Sequence, residues 1–65
     1  MENKTIESRV VGGTEVALVQ WWDGKFHVVT KQDGKVSDSR CFGADEQFAR
    51  KALKAQYYWL DGGDL

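Results

Sequence analysis

Residues 14–32 read TEVALVQWWDGKFHVVTKQ, two runs rich in β-branched and aromatic residues joined by Asp23-Gly24. Such side chains pack well on a pleated surface, so both runs favour extended chain. An Asp-Gly pair between them signals a two-residue hairpin, because Gly takes positive φ without steric cost and Asp tolerates it better than most residues. Outward from this hairpin the punctuation repeats, with Gly12-Gly13 before it and Asp33-Gly34 after it. The segments KTIESRVV (4–11), TEVALVQWW (14–22), KFHVVTKQ (25–32) and KVSDSRCF (35–42) therefore read as four strands of an antiparallel meander. The chain has no proline, so none of the four is demoted on that ground.

Beyond residue 43 the period changes. Phe48, Ala49, Ala52, Leu53, Gln56, Trp59 and Leu60 fall in one broad stripe at 100° per residue, which predicts a C-terminal helix of roughly 16 residues. Asp45 and Glu46 lie in its first turn, where the helix dipole favours acids, the N-cap falls to Gly43 or Ala44, and Gly62 supplies a left-handed stop. The expected fold is α+β, a ββββα single domain over 1–65 with the helix packed on one face and with flexible ends at 1–4 and 61–65.

Two-residue turns throughout would fix the register and hence the faces. Trp21 would pair with Phe26, and the helix side would collect Ile6, Ala17, Val19, Trp21, Phe26, Val28, Ser39 and Cys41. The expected core is Trp21, Phe26, Val28, Phe48, Leu53 and Trp59. The opposite face would carry Val16, Leu18, Trp22, Lys25, His27, Val29, Lys31, Val36, Arg40 and Phe42, with no second helix to cover it. On that face Trp22, Lys25 and Phe42 would stand in one row, a cation between two aromatic planes, with His27 and Arg40 in the next. An apolar patch with Trp and Arg near its centre has the composition of a contact surface. Scattered exposed apolar residues are also ordinary on folded domains, and Lys stems can cover aromatics.

A second candidate surface is acidic. The meander brings Glu15, Asp33, Asp61, Asp64 and the terminal carboxylate toward the end where the helix stops, and such an edge could engage a basic groove. Solvated turns and tails are the plainer explanation of the same residues. Cys41 and His27 fall on opposite faces in this register, so no thiolate pair is expected. The single histidine lacks a carboxylate pair with ligand spacing, so neither a metal nor a cofactor is expected.

Composition bounds the function classes. A chain of 65 residues buries only roughly 60% of its unfolded surface, enough for one small core and little room for an enclosed catalytic pocket. Hydrophobic residues at 42%, aromatics at 12% and charges at 29% lie far from the profile of disorder. A formal charge of −1 argues against a bulk electrostatic nucleic-acid binder. One cysteine makes no internal disulfide, and no apolar run approaches a membrane span or a signal peptide, so a cytoplasmic setting is expected.

The stretch WWDGKFHVVTKQDGK…CFGADEQFARKAL resembles the Apetala-type DNA-binding domain of plants, a three-stranded sheet packed on a helix. That resemblance implies DNA reading from the sheet by Trp22, Lys25 and Arg40. A similar outline occurs in antitoxins of the HicB type. The profile of the whole chain, short, proline-free, acidic and without catalytic motifs, resembles the small accessory proteins of phages and mobile elements, in particular anti-CRISPR inhibitors of type I surveillance complexes. This implies inhibition by occupying a protein surface or, through Glu15, Asp33, Asp61 and Asp64, by blocking a basic DNA path. The expected function is thus a non-enzymatic binding module with a protein partner, existing as a monomer or weak homodimer. The rival is a nucleic-acid binder using Trp22, Lys25, His27 and Arg40 on the sheet.

Overall fold

The computed structural model describes residues 3–62. Strands β1 (Lys4–Val11), β2 (Thr14–Gln20), β3 (Phe26–Gln32) and β4 (Lys35–Cys41) form one antiparallel sheet in the order β1-β2-β3-β4, and helix α1 (Glu46–Leu60) packs on one side of it. The ββββα architecture is the one the sequence predicts. Asp64 and the other residues beyond Gly62 lie outside the described residues, as do Met1 and Glu2.

The outer two turns follow expectation. Both central residues are left-handed, with φ of 58° and 86° at Gly12-Gly13 and 53° and 82° at Asp33-Gly34, and each turn joins directly paired flanks, Val11 with Thr14 and Gln32 with Lys35. The middle turn differs. Only Gly24 is left-handed there, with φ 86°, while Asp23 stays at negative φ and accepts a hydrogen bond on its carboxylate from the Lys25 N–H at 3.0 Å. Asp23 thereby satisfies the turn with its side chain and avoids the strain of a left-handed backbone. Trp21 closes the loop on both sides: its carbonyl accepts from the Gly24 N–H and its N–H donates to the Lys25 carbonyl, each at 2.9 Å. The loop is therefore Trp22-Asp23-Gly24, three residues instead of two.

One extra loop residue slips the central register by one. Gln20 faces Phe26, Leu18 faces Val28 and Val16 faces Thr30. A slip of one residue moves a whole strand's side chains to the other face, so Val16 and Leu18 lie under the helix, where Ala17, Val19 and Trp21 were expected. β4 carries its own correction. Val36 opposes Lys31 as expected near the turn, but a bulge at Ser37 then places Asp38 opposite Thr30 and Arg40 opposite Val28 on the helix side, leaving Ser39 and Cys41 on the other. A further bulge at Ile6 in β1 lets that residue reach the core.

The core is Val16, Leu18, Phe26, Val28, Ala49 and Leu53. Three members of the expected core are displaced: Trp21 is on the far face, and Phe48 and Trp59 are 56% and 60% exposed. With Val16, Leu18 and Phe26 supplying bulk from the sheet, the helix turns its small residue Ala49 inward and follows the line Ala49, Leu53, Leu60, about one residue round from Phe48 and Trp59. The helix starts on Asp45, whose carboxylate accepts from the Phe48 N–H at 3.1 Å, so Asp45 is the N-cap expected at Gly43 or Ala44. At the other end Asp61 is the C-cap and Gly62, at φ 109°, follows as the left-handed stop.

Candidate functional site

The helix covers one side of the sheet, and no element among the described residues covers the other. β2 and β3 place Glu15, Ala17, Val19, Trp21, Val29 and Lys31 on this open face, and β4 adds Val36 and Ser39. They line a shallow concavity of about 340 Å3. Trp21 forms its wall at the loop end, stacked on His27 with ring centroids 3.9 Å apart and planes 19° apart. Beneath it His27 is buried, and its Nε2 has no hydrogen-bond partner. At the edges Val10 and Val36 are 63% and 60% exposed, bare apolar side chains with water as their neighbour.

Sequence-predicted residues scatter over the molecule. Trp22 sits at the tip of the three-residue loop, largely exposed, and Lys25 stands at the loop's neck opposite Trp21 rather than beside Trp22. Arg40 is on the helix side, with its Nε 3.3 Å from the Asp38 carboxylate, which offsets its charge. Phe42 packs against the core and meets Phe48 edge-on, with centroids 5.3 Å apart at 88°. The expected row of Trp22, Lys25 and Phe42 does not form. His27 does lie on the open face, and Cys41 is its direct partner across β3 and β4. The expected separation of these two onto opposite faces is therefore corrected, by the bulge at Ser37 that turns Cys41 to the open face.

The acidic residues divide in the same way. Glu15 is on the open face with Lys31 directly opposite it in the register. Asp33 is in the β3–β4 turn, and Asp61 accepts from Arg9 at 2.7 Å. That full opposite charge in contact offsets the unfavourable placing of an acid at the negative end of the helix. Arg9 also rests 5.6 Å from the centroid of the Tyr57 ring. Arg50 bridges Glu46 at 2.7 Å and Glu7 at 3.5 Å, so β1 is tied to the helix by ion pairs as well as by Ile6. The Tyr57 hydroxyl is buried without a geometric hydrogen-bond partner. Burial pushes this phenol up to about 12, and the nearby Glu7 carboxylate adds to the rise while Arg9 opposes it.

The open-face residues that sequence reasoning assigned to the helix side are Ala17, Val19 and Trp21, of which Trp21 was expected in the core. The signal that could have found them is Asp23 itself, since an Asp that bonds the backbone two residues on suits a three-residue loop as well as a two-residue one. Among the described residues no cluster of three or more His, Cys, Asp and Glu could hold a metal ion, and no helix is long and apolar enough to cross a membrane. Among the described residues these features define an open four-stranded antiparallel meander with one helix and one bare face. Compared with protein-family models, curated proteins and solved structures, the chain matches none of them.

Proposed function

We propose that the chain is a non-enzymatic binding module whose working surface is the open face of the sheet, and that this surface engages protein. The observation that carries the reading is the composition of the face: Ala17, Val19, Trp21, Val29 and Val36 surround one opposite-charge pair, Glu15 and Lys31. A nucleic-acid surface draws its affinity from an excess of Lys and Arg over phosphates. Here Arg40 lies on the other side of the sheet beside Asp38, and Lys25 lies at the rim. Apolar surface with one aromatic anchor suits a protein interface. A phage-type inhibitor of the anti-CRISPR kind would act in this way, by occupying a surface of a nucleic-acid-handling complex. The ion pair of Asp61 with Arg9, and the placing of Lys31 across the register from Glu15, favour that mode over mimicry of a DNA backbone.

The test uses the folded chain with Val19→Lys/Val29→Lys beside the parent. Labelled duplex and single-stranded oligonucleotides should bind neither protein in about 50 mM salt; binding by the parent that falls steeply by about 200 mM would reverse the reading in favour of nucleic acid. Protein contacts captured by the parent should be lost in the double variant while its melting temperature is kept. Retention of every contact would remove the open face from the account.

A further inference from the structure

We infer that the occupant of the open face is a second copy of the same chain, docked about a twofold axis that runs parallel to the strands between β2 and β3. The inference rests on the open face being a protein-contact surface and names what covers that face when no other partner is bound. It follows from the register, which lines the face with rows running across all four strands. One row is Val10, Glu15, Lys31, Val36. The next is Ser8, Ala17, Val29, Ser39. Each row is the same in chemical kind when read from either end: apolar ends around a charge pair, then hydroxyl ends around two aliphatic side chains.

A twofold axis along the strands sets β1 against the second copy's β4, and β2 against its β3, at unchanged height along the strand. Every row then meets its own reverse, as an isologous interface requires. Glu15 lands on Lys31 and Lys31 on Glu15, so two new ion pairs form and no charge is buried alone. Val10 meets Val36, the two most exposed aliphatic residues of the sheet. Ala17 meets Val29, small against larger, which lets the layers interdigitate. A twofold axis perpendicular to the strands would instead set Glu15 and Lys31 against the Trp21 end and desolvate both without partners, at a cost of several kcal/mol per ion. Charge thus selects one of the two ways a sheet can pack on its copy. Packed sheets cross at about 30°, and rows close to the axis keep their alignment through that rotation.

Area sets the strength. Strands about 4.8 Å apart and seven residues of about 3.3 Å each give a face of roughly 400 Å2. Two such faces bury on the order of 800 to 1,000 Å2, the lower end for a specific complex, so the dimer is weak and dissociates in dilute solution. Like-charge repulsion does not oppose this pairing, because Arg40 is not on the face and Lys31 faces Glu15.

Sedimentation equilibrium of the whole chain from about 1 µM to about 1 mM tests this, using the parent, Glu15→Lys, Lys31→Glu and an equimolar mixture of the two variants. The parent should pass from monomer to dimer within that range. Each variant alone should associate at least tenfold more weakly, because its two like charges then face two more. The mixture should recover association as a heterodimer, one face bearing two Lys and the other two Glu. Circular dichroism melts of the separate variants check that both remain folded, and recovery in the mixture cannot arise from misfolded chains. A parent that stays monomeric to about 1 mM, a dimer indifferent to both variants, or a mixture no stronger than its parts each overturns the inference. If the parent is monomeric yet Val19→Lys/Val29→Lys still loses protein contacts, only the second copy is wrong. If the double variant loses nothing, the open face as a contact surface falls with it.

Discussion

Truncating Leu53 and Trp59 in parallel tests which line of the helix faces the sheet. Leu53 is 1% exposed and packs among Val16, Leu18, Phe26 and Val28, so Leu53→Ala removes three carbons from a site with no slack. Such changes cost about 2 to 5 kcal/mol, the transfer free energy of the lost atoms plus a cavity. A chain of 65 residues holds roughly 3 to 10 kcal/mol in all, so the variant should lose much of its stability. Trp59 is the larger residue but keeps 60% of its surface in water. The buried remainder, on the order of 80 Å2, is worth at most about 2 kcal/mol at 25 cal/mol per Å2, and Ala keeps part of it, so Trp59→Ala should cost about 1 kcal/mol. Urea melts followed by circular dichroism read the difference directly. With a slope near 1 kcal/mol per molar, the midpoint should fall by about 2 M or more for Leu53→Ala and by about 1 M for Trp59→Ala. Equal losses, or a greater loss for Trp59→Ala, would refute the inward line Ala49, Leu53, Leu60 and restore the Phe48 and Trp59 side of the helix to the core.

Three further outcomes follow from the same contacts. Asp45→Ala removes the acceptor of the Phe48 N–H and should cost about 1 kcal/mol, which Asp45→Ser should largely restore in the same urea assay. Gly24→Ala forces a left-handed residue with a Cβ at φ 86° and should cost on the order of 1 kcal/mol, although the space around it is open. Tyr57 has a folded-state value raised to about 12 from an ordinary 10.0, so its contribution is fully present below pH 10 and is lost as pH rises through about 12. Absorbance near 295 nm should show one of the two tyrosines ionising late, and in Glu7→Gln that step should move down.

The elements were legible because each rests on a local signal: two turns whose glycines demand a left-handed backbone, alternating strands between them, and a change to helical period after residue 43. The faces were less legible, because they depend on counting residues through turns, and a single miscount inverts a strand. Asp23-Gly24 gives the same dipeptide as Asp33-Gly34, yet only Asp33 enters the left-handed region; Asp23 bonds Lys25 instead. The bulge at Ser37 has no marker in the sequence, since Ser is ordinary in a strand and no Gly flags the extra residue. The candidate surface was legible in part. An uncovered sheet face follows from having one helix, and Val29, Lys31, Val36 and His27 were placed on it; Trp21, Val19 and Glu15 joined it only through the slipped register. The helix was misread by one position for a related reason. Its stripe held Ala49, Leu53 and Leu60, but the expected core took Phe48 and Trp59 from it, whereas a sheet already bulky at Leu18 and Phe26 takes the small Ala49.

The register of β2 on β3 underlies the composition of the open face, and one nuclear Overhauser experiment tests it. The Trp21 N–H donates to the Lys25 carbonyl, which makes Trp21 and Lys25 a hydrogen-bonded pair and leaves Leu18 with Val28, and Val16 with Thr30, as non-hydrogen-bonded pairs whose Cα atoms approach to about 4.5 Å. Strong cross-peaks between the Hα protons of Leu18 and Val28, and between those of Val16 and Thr30, are the result the account predicts. Cross-peaks between the Hα protons of Val19 and Val28, or of Trp21 and Phe26, would contradict it, returning Trp21 to the core and placing Val16 and Leu18 on the open face.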